Sequence, residues 1–142
     1  MKNIIKISIL LSFTFIQAAW AEIVVIANKE SAVDTVSVDE LGRVYLGKVN
    51  TLGSHLVVPL DQTKGTSSRE SFHAKVTKKD SSQLNSYWSR MIFTGTGSPP
   101  KEVEDSDEVA ALVERNKDII GYIDSEEVEE GDYEFKVILK LP

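Results

Sequence analysis

The chain alternates between two hydrophobic periods, one of strands and one of helices. Glu22-Ile23-Val24-Val25-Ile26-Ala27 is a β-branched apolar run without alternation, the pattern of a strand buried on both faces. A polar stretch from Asn28 to Val36 follows. Ser37-Val38-Asp39-Glu40 then has the form of a capping box, and Leu41, Val44 and Tyr45 recur at helical spacing until Gly47 ends the helix. His55-Leu56-Val57-Val58-Pro59-Leu60 predicts a second strand, with Pro59 placing it at an edge or a strand end. Strand, helix, strand in this order predicts a parallel pair joined by a right-handed crossover.

A helix starting near Ser67 should run to about Val76. Asp80-Ser81-Ser82 starts another, whose Leu84, Tyr87, Trp88, Met91 and Ile92 form one wide apolar face, the usual signature of core packing. Phe93-Thr94-Gly95-Thr96-Gly97-Ser98-Pro99-Pro100 stops it. Gly95-Thr96-Gly97 follows a helix rather than a strand, which argues against a dinucleotide loop. Asp105 to Glu108 caps a fourth helix carrying Val109, Leu112 and Val113, and Asp118 to Ile123 reads as a short apolar strand whose Gly121 permits close backbone approach. Phe135, Val137, Leu139 and Leu141 alternate with Lys136, Ile138 and Lys140, predicting a closing strand with one buried face. Together these elements predict a small three-layer α/β domain of sheet and helices over residues 22–142.

The first 21 residues have a different character. Lys2 and Lys6 form a basic head, Ile7 to Ile16 is mostly apolar, and Ala19-Trp20-Ala21 supplies small residues where a signal peptidase reads, so a cleaved secretory signal peptide and a periplasmic location are expected. The chain contains no cysteine, which excludes a disulfide framework and thiolate chemistry. Removal of Lys2 and Lys6 leaves 14 basic against 22 acidic residues. The acid is concentrated late: residues 101–134 carry fourteen Asp and Glu against three Lys and Arg. No clustered basic surface is available for nucleic acid. The carboxylates from Glu126 to Asp132 lack the spacing of a calcium loop and read as a solvated acidic turn, and no metal or cofactor is expected. His55 and His73 are the only histidines, with no cysteine in reach, and no serine sits in a nucleophile elbow. These absences favour binding over catalysis.

Lys64-Gly65-Thr66-Ser67-Ser68-Arg69-Glu70-Ser71-Phe72 is the stretch with chemistry to offer. Three hydroxyls, the unpaired amides of a first helical turn and a guanidinium together favour a tetrahedral oxyanion. The same residues also fit a capping box, with Ser67 as N-cap and Glu70 reaching back to it. The candidate ligands are Thr66, Ser67, Ser68 and Arg69, joined by Asn28 and Ser31 from the loop after the first strand, on the expectation that both loops lie at carboxyl ends of parallel strands. On this view Arg69→Ala weakens phosphate binding and leaves the fold intact.

Taken together, these motifs resemble the phosphate-binding proteins of bacterial ABC transporters, of the type 2 periplasmic-binding-protein kind. Val44-Tyr45-Leu46-Gly47-Lys48, Thr66-Ser67-Ser68-Arg69-Glu70-Ser71-Phe72, Tyr87-Trp88, Phe93-Thr94-Gly95 and Ile120-Gly121-Tyr122-Ile123 follow that family's landmarks in order over about residues 38 to 124. The resemblance implies a fold like one lobe of a two-lobed clamp, phosphate or a similar oxyanion as ligand, contacts from Thr66, Ser68 and Arg69, and a membrane transporter as partner. Two departures stand out. Ser67 occupies the place of the family's glycine, and the chain corresponds to a short version with much of one lobe missing. Two further readings follow from that shortness: a protein-interaction module that keeps the lobe fold and docks through its acidic 101–134 surface, and a homodimer in which two copies rebuild a cleft.

Overall fold

The structure is a computed structural model that describes residues 22–129 and 131–142; the expected signal peptide lies outside the described residues. Its elements are β1 (Ile23–Asn28), α1 (Val38–Tyr45), β2 (Thr51–Leu52), β3 (His55–Leu56), β4 (Val58–Gln62), α2 (Ser67–Val76), α3 (Ser81–Phe93), β5 (Lys101–Val103), α4 (Ser106–Arg115), β6 (Ile119–Asp124) and β7 (Phe135–Leu141). Five strands form one sheet in the order β5-β4-β6-β1-β7, and β2 and β3 form a separate short hairpin. The mixed α/β architecture is the one expected, a sheet covered by helices on both faces.

The first strand lies inside the sheet, and all six of its residues are buried. Ile23, Val25 and Ala27 join Leu41, Val44, Tyr45, Phe72 and Val76 of α1 and α2 in one core. Val24 and Ile26 join Val109, Ala110 and Val113 of α4 in the other. A strand gripped on both faces has no polar side to show, which is why its sequence lacks alternation.

The predicted parallel pairing of the first two strands is not what forms. β1 runs antiparallel to both neighbours, β6 and β7, whereas β4 is parallel to β5 and β6. The carboxyl ends of β1 and β4 therefore lie at opposite ends of the sheet. An unbroken apolar run fits any interior strand, so it carries no signal for direction. The expected strand from His55 to Leu60 divides into β3 and β4. Pro59 lies where only β6 pairs with β4, because β5 joins from Leu60 onward, so the missing N–H falls at a locally open edge.

Helix ends follow the sequence closely. Ser37 and Asp80 make full capping boxes with Glu40 and Gln83, and Asp105 caps α4. At the end of α1, Gly47 has φ +68°, its N–H donates to Val44 O and that of Lys48 to Arg43 O, the paired bonds of a Schellman motif. α2 differs by one residue. Its N-cap is Thr66, whose hydroxyl accepts from Arg69 N, and the Glu70 side chain accepts from Ser81 Oγ instead of closing a box on Ser67.

β7 also departs from simple alternation. Its register against β1 shifts between Val25 and Ile26, which pair with Leu139 and Val137, so Ile138 is the extra residue of a β-bulge. Ile138 turns into the core and Val137 turns out, reversing the face predicted for both.

Gly121 marks the tightest approach between layers. A Cβ there would overlap Val109 Cγ1 on α4. Gly121→Ala should destabilise the protein by about 1–3 kcal/mol through overpacking, read as a lowered midpoint in urea. An unchanged midpoint would mean that α4 can shift away freely.

Candidate functional site

The carboxyl ends of β4, β5 and β6 bring two helix N-termini together, those of α2 and α4, joined to the sheet by short loops. Ligands of open α/β sheets bind at this kind of crevice. The centre of its α2 side is Asp61, a carboxylate only 3% exposed. Asp61 Oδ1 accepts from Gln62 N at 2.9 Å and from the Tyr122 hydroxyl. Oδ2 lies 2.9 Å from His73 Nε2 and 3.5 Å from Arg69 Nη2.

α2 supplies two of these partners because Arg69 and His73 are one turn apart and share its buried face with Ser68, Phe72 and Val76. Burial pushes the Asp61 carboxyl up, but the hydrogen bond and charge of His73, the Tyr122 hydroxyl and the Arg69 charge outweigh it and hold the group below the usual carboxylate value. Burial, followed by the Asp61 charge, raises the Tyr122 and Tyr45 phenols, which stay protonated. Phe72 stacks on Tyr122 at 3.8 Å between ring centroids, and Tyr45 OH donates to Leu60 O at 2.8 Å, so aromatic packing seals this network from below.

Asp61, His73 and Thr77 have the residue types of an acid–base relay, with His73 Nδ1 3.1 Å from Thr77 Oγ1. All three are buried, and the Thr77 hydroxyl donates back to the His73 carbonyl. The arrangement is a brace between strand and helix.

Arg69 is 4% exposed. Its Nη1 donates to Gln62 O at 2.9 Å and to Glu102 Oε1 at 2.6 Å, while its buried Nε has no hydrogen-bond partner. Arg69 lines a cavity of about 150 Å³ together with Lys64, Asn85, Ser89, Asp61 and Glu102. Trp88, Pro99 and Pro100 wall this cavity and also a second, more open cleft of about 460 Å³ on their other side.

The structure brings together four of the six candidate ligands. Thr66, Ser67, Ser68 and Arg69 form the cap and first turn of α2, with Ser67 exposed and Ser68 buried. The Thr66 hydroxyl donates to Thr63 O at 3.0 Å and so serves the turn as well as the cap. The amides of Ser67 and Ser68 fall in the first turn, where no intrahelical acceptor exists.

Asn28 and Ser31 lie at the other end of the sheet, because β1 is antiparallel to β6. The Asn28 side-chain amide donates to Val113 O and Glu114 O at 3.0 and 2.8 Å, closing the end of α4. Ser31 lines a separate cleft with His55 and Lys117. Among the described residues, no group of three or more His, Asp or Glu could hold a metal ion.

Asp61, Gln62, His73, Glu102 and Tyr122 were not singled out from the sequence as parts of this site. The signals are faint but real: two polar residues closing an apolar strand, and a histidine four residues after an arginine. Glu102 gives none, since its proximity to Arg69 depends on β5 pairing in parallel with β4, Asp61 beside Glu102.

Neither a protein-family model nor a curated protein matches the chain. Solved structures do. It is similar to a protein from Clostridium perfringens described as a phosphate ABC transporter substrate-binding protein and solved with bound phosphate, with TM-score 0.62 and 18% identity, covering 83% of this chain and 45% of that one. An ABC-type phosphate transport receptor from Vibrio cholerae matches with TM-score 0.60 and 14% identity over 83% of this chain and 46% of its own. PstS from Borrelia burgdorferi matches with TM-score 0.58 and 13% identity over 83% and 47%. At these identities the likeness is one of fold. The chain spans less than half the length of each and matches one lobe of such proteins. The solved structures are of the kind its sequence motifs resemble.

Arg69 is thus a buried partner of Asp61, and the expectation that Arg69→Ala leaves the fold intact is replaced by the opposite one. Removing it leaves Asp61 under-compensated and should cost about 3–5 kcal/mol in urea unfolding; a cost under about 1 kcal/mol would show that Asp61 does not need it. Because the folded value of Asp61 is depressed, its ionised form stabilises the protein above about pH 4, and this contribution is lost as pH falls through the lowered value. Wild-type stability should therefore drop more steeply between pH 5 and pH 2 than that of Asp61→Asn; parallel curves would contradict this.

Proposed function

We propose that this chain is an exported, periplasmic oxyanion-binding domain over residues 22–142, related in kind to the phosphate-binding components of ABC transporters and corresponding to one of their lobes. Residues 1–21 would be its cleaved signal. The ligand is phosphate or a similar tetrahedral anion, held reversibly at the first turn of α2 by the Ser67 and Ser68 amides and hydroxyls, with Thr66 capping the turn and Arg69 behind them. Lys64 adds positive field at the cavity mouth. Asn28 and Ser31 take no part, since they face the other end of the sheet.

One observation carries the reading: a buried guanidinium with an unpartnered Nε, in the first turn of a hydroxyl-rich helix N-terminus and lining a cavity shared with Lys64, Asn85 and Ser89. A helix N-terminus favours an anion through its dipole and its free amides. The Glu102 side of the site is open to solvent, so water keeps access and each contact is weaker than in a closed site. A few charge-assisted hydrogen bonds, set against the cost of association, correspond to a dissociation constant of about 1 mM.

The neutralisation of Arg69 by Asp61 and Glu102 favours a second reading, in which the lobe serves as an interaction module. The Phe93 side chain, 93% exposed at the end of α3, and the acidic 101–134 surface would then meet a partner.

Calorimetric titration of residues 22–142 with phosphate, then sulfate, tests the first reading. Saturable heat with phosphate is expected, with at least a tenfold loss of affinity in Ser67→Asp, since aspartate in the first turn suits the helix but repels the ligand. No heat at 10 mM phosphate, about ten times the expected constant, would favour the interaction module.

A further inference from the structure

We infer that Glu102 is a displaceable internal anion: its carboxylate occupies the solvent-side position on the Arg69 guanidinium that an incoming oxyanion must take, and it thereby sets the affinity of the site. The inference rests on the oxyanion reading and deepens it by naming what competes for the site.

Arg69 faces three oxygen-bearing groups. Gln62 O and the Asp61 carboxylate are buried parts of β4, fixed by the sheet and by Tyr122 and His73. The third, Glu102, is different: its side chain is 46% exposed, yet its Oε1 lies 2.6 Å from Arg69 Nη1. Asp61 and Glu102 are register partners in the parallel β4–β5 ladder, so both project toward α2 from the same face. β5 is a three-residue edge strand, paired only with β4. The half-exposed Glu102 side chain can therefore swing into water by giving up one ion pair, whereas Asp61 is buried and tied to Gln62 N, Tyr122 and His73.

Charge favours the exchange. With Glu102 in place, one guanidinium faces two carboxylates. Even with Lys64 counted, the charges lining the 150 Å³ cavity then cancel, and an entering anion meets no net attraction until Glu102 leaves. Once Glu102 rotates out, the same anion finds the Nη1 hydrogen that Glu102 had held, on a guanidinium that lines the cavity together with Lys64. A half-exposed ion pair is easily opened. The apparent affinity is then the intrinsic affinity reduced by the fraction of molecules in which Glu102 is out.

The test compares wild type, Glu102→Gln and Glu104→Gln by calorimetric titration with inorganic phosphate, with thermal unfolding to confirm that each is folded. Glu104 is exposed on the same segment and serves as the charge control. Competition for Arg69 Nη1 predicts about tenfold tighter phosphate binding in Glu102→Gln and less than a twofold change in Glu104→Gln. Binding seen only in Glu102→Gln would support the inference further. Equal gains in both variants would reduce Glu102 to a diffuse field effect and overturn it. Wild-type binding unchanged in Glu102→Gln would overturn it while leaving the oxyanion site standing; no binding in any of the three would remove both.

Discussion

A carboxylate buried at the end of an interior strand has to be compensated, and the Asp61 site shows how much structure that requires. Stripping an ionised carboxyl of water costs several kcal/mol unless hydrogen bonds and opposite charge replace the solvent. Here the replacement comes from three elements: the Gln62 amide of β4 itself, the Tyr122 hydroxyl of β6, and the Arg69 and His73 side chains of α2. The spacing of Arg69 and His73 fixes which face of α2 turns to the sheet. The position of α2 in turn places its N-terminal turn, with three hydroxyls, at the mouth of the crevice. Folding and the candidate site thus depend on the same ion pair.

That shared dependence explains the ambivalence of Arg69. A guanidinium dedicated to a ligand would be held by neutral groups and left open on one side. This one is anchored by Asp61 and crossed by Glu102, and it lines a cavity while its buried Nε stays unpartnered. Rigid placement favours binding because little side-chain freedom is lost when a ligand arrives. Local acid opposes it. The balance between a working oxyanion site and an interaction scaffold rests on how readily Glu102 leaves, a question of one exposed rotamer rather than of the fold.

Much of the architecture is legible in short-range chemistry. Ser37, Asp80 and Asp105 announce three helices because capping is a contact within four residues, and Gly47 and Gly121 mark a left-handed turn and a close layer contact. What escapes is non-local or degenerate. Thr66 and Ser67 are adjacent hydroxyls, either able to cap, so the helix start is displaced by one residue. Val137 and Ile138 exchange faces because a bulge is a property of the pairing with β1. Lys101-Glu102-Val103 has no pattern of its own and becomes a strand only beside β4. The direction of β1 decides that Asn28 and Ser31 belong to the far end of the sheet, and nothing in an unbroken apolar run encodes direction. For the site, the hydroxyl-rich turn and Arg69 are visible in sequence, while the charges that restrain Arg69 converge only through topology.

The central claim, that the first turn of α2 is an anion site, is tested most directly by following backbone amide resonances of isotope-labelled 22–142 protein during a phosphate titration. The account predicts saturable shifts concentrated at Thr66, Ser67, Ser68 and Arg69, accompanied by Glu102, with Asn28 and Ser31 unmoved. Shifts centred elsewhere, or none up to tens of millimolar phosphate, well above the ~1 mM expected, would contradict it.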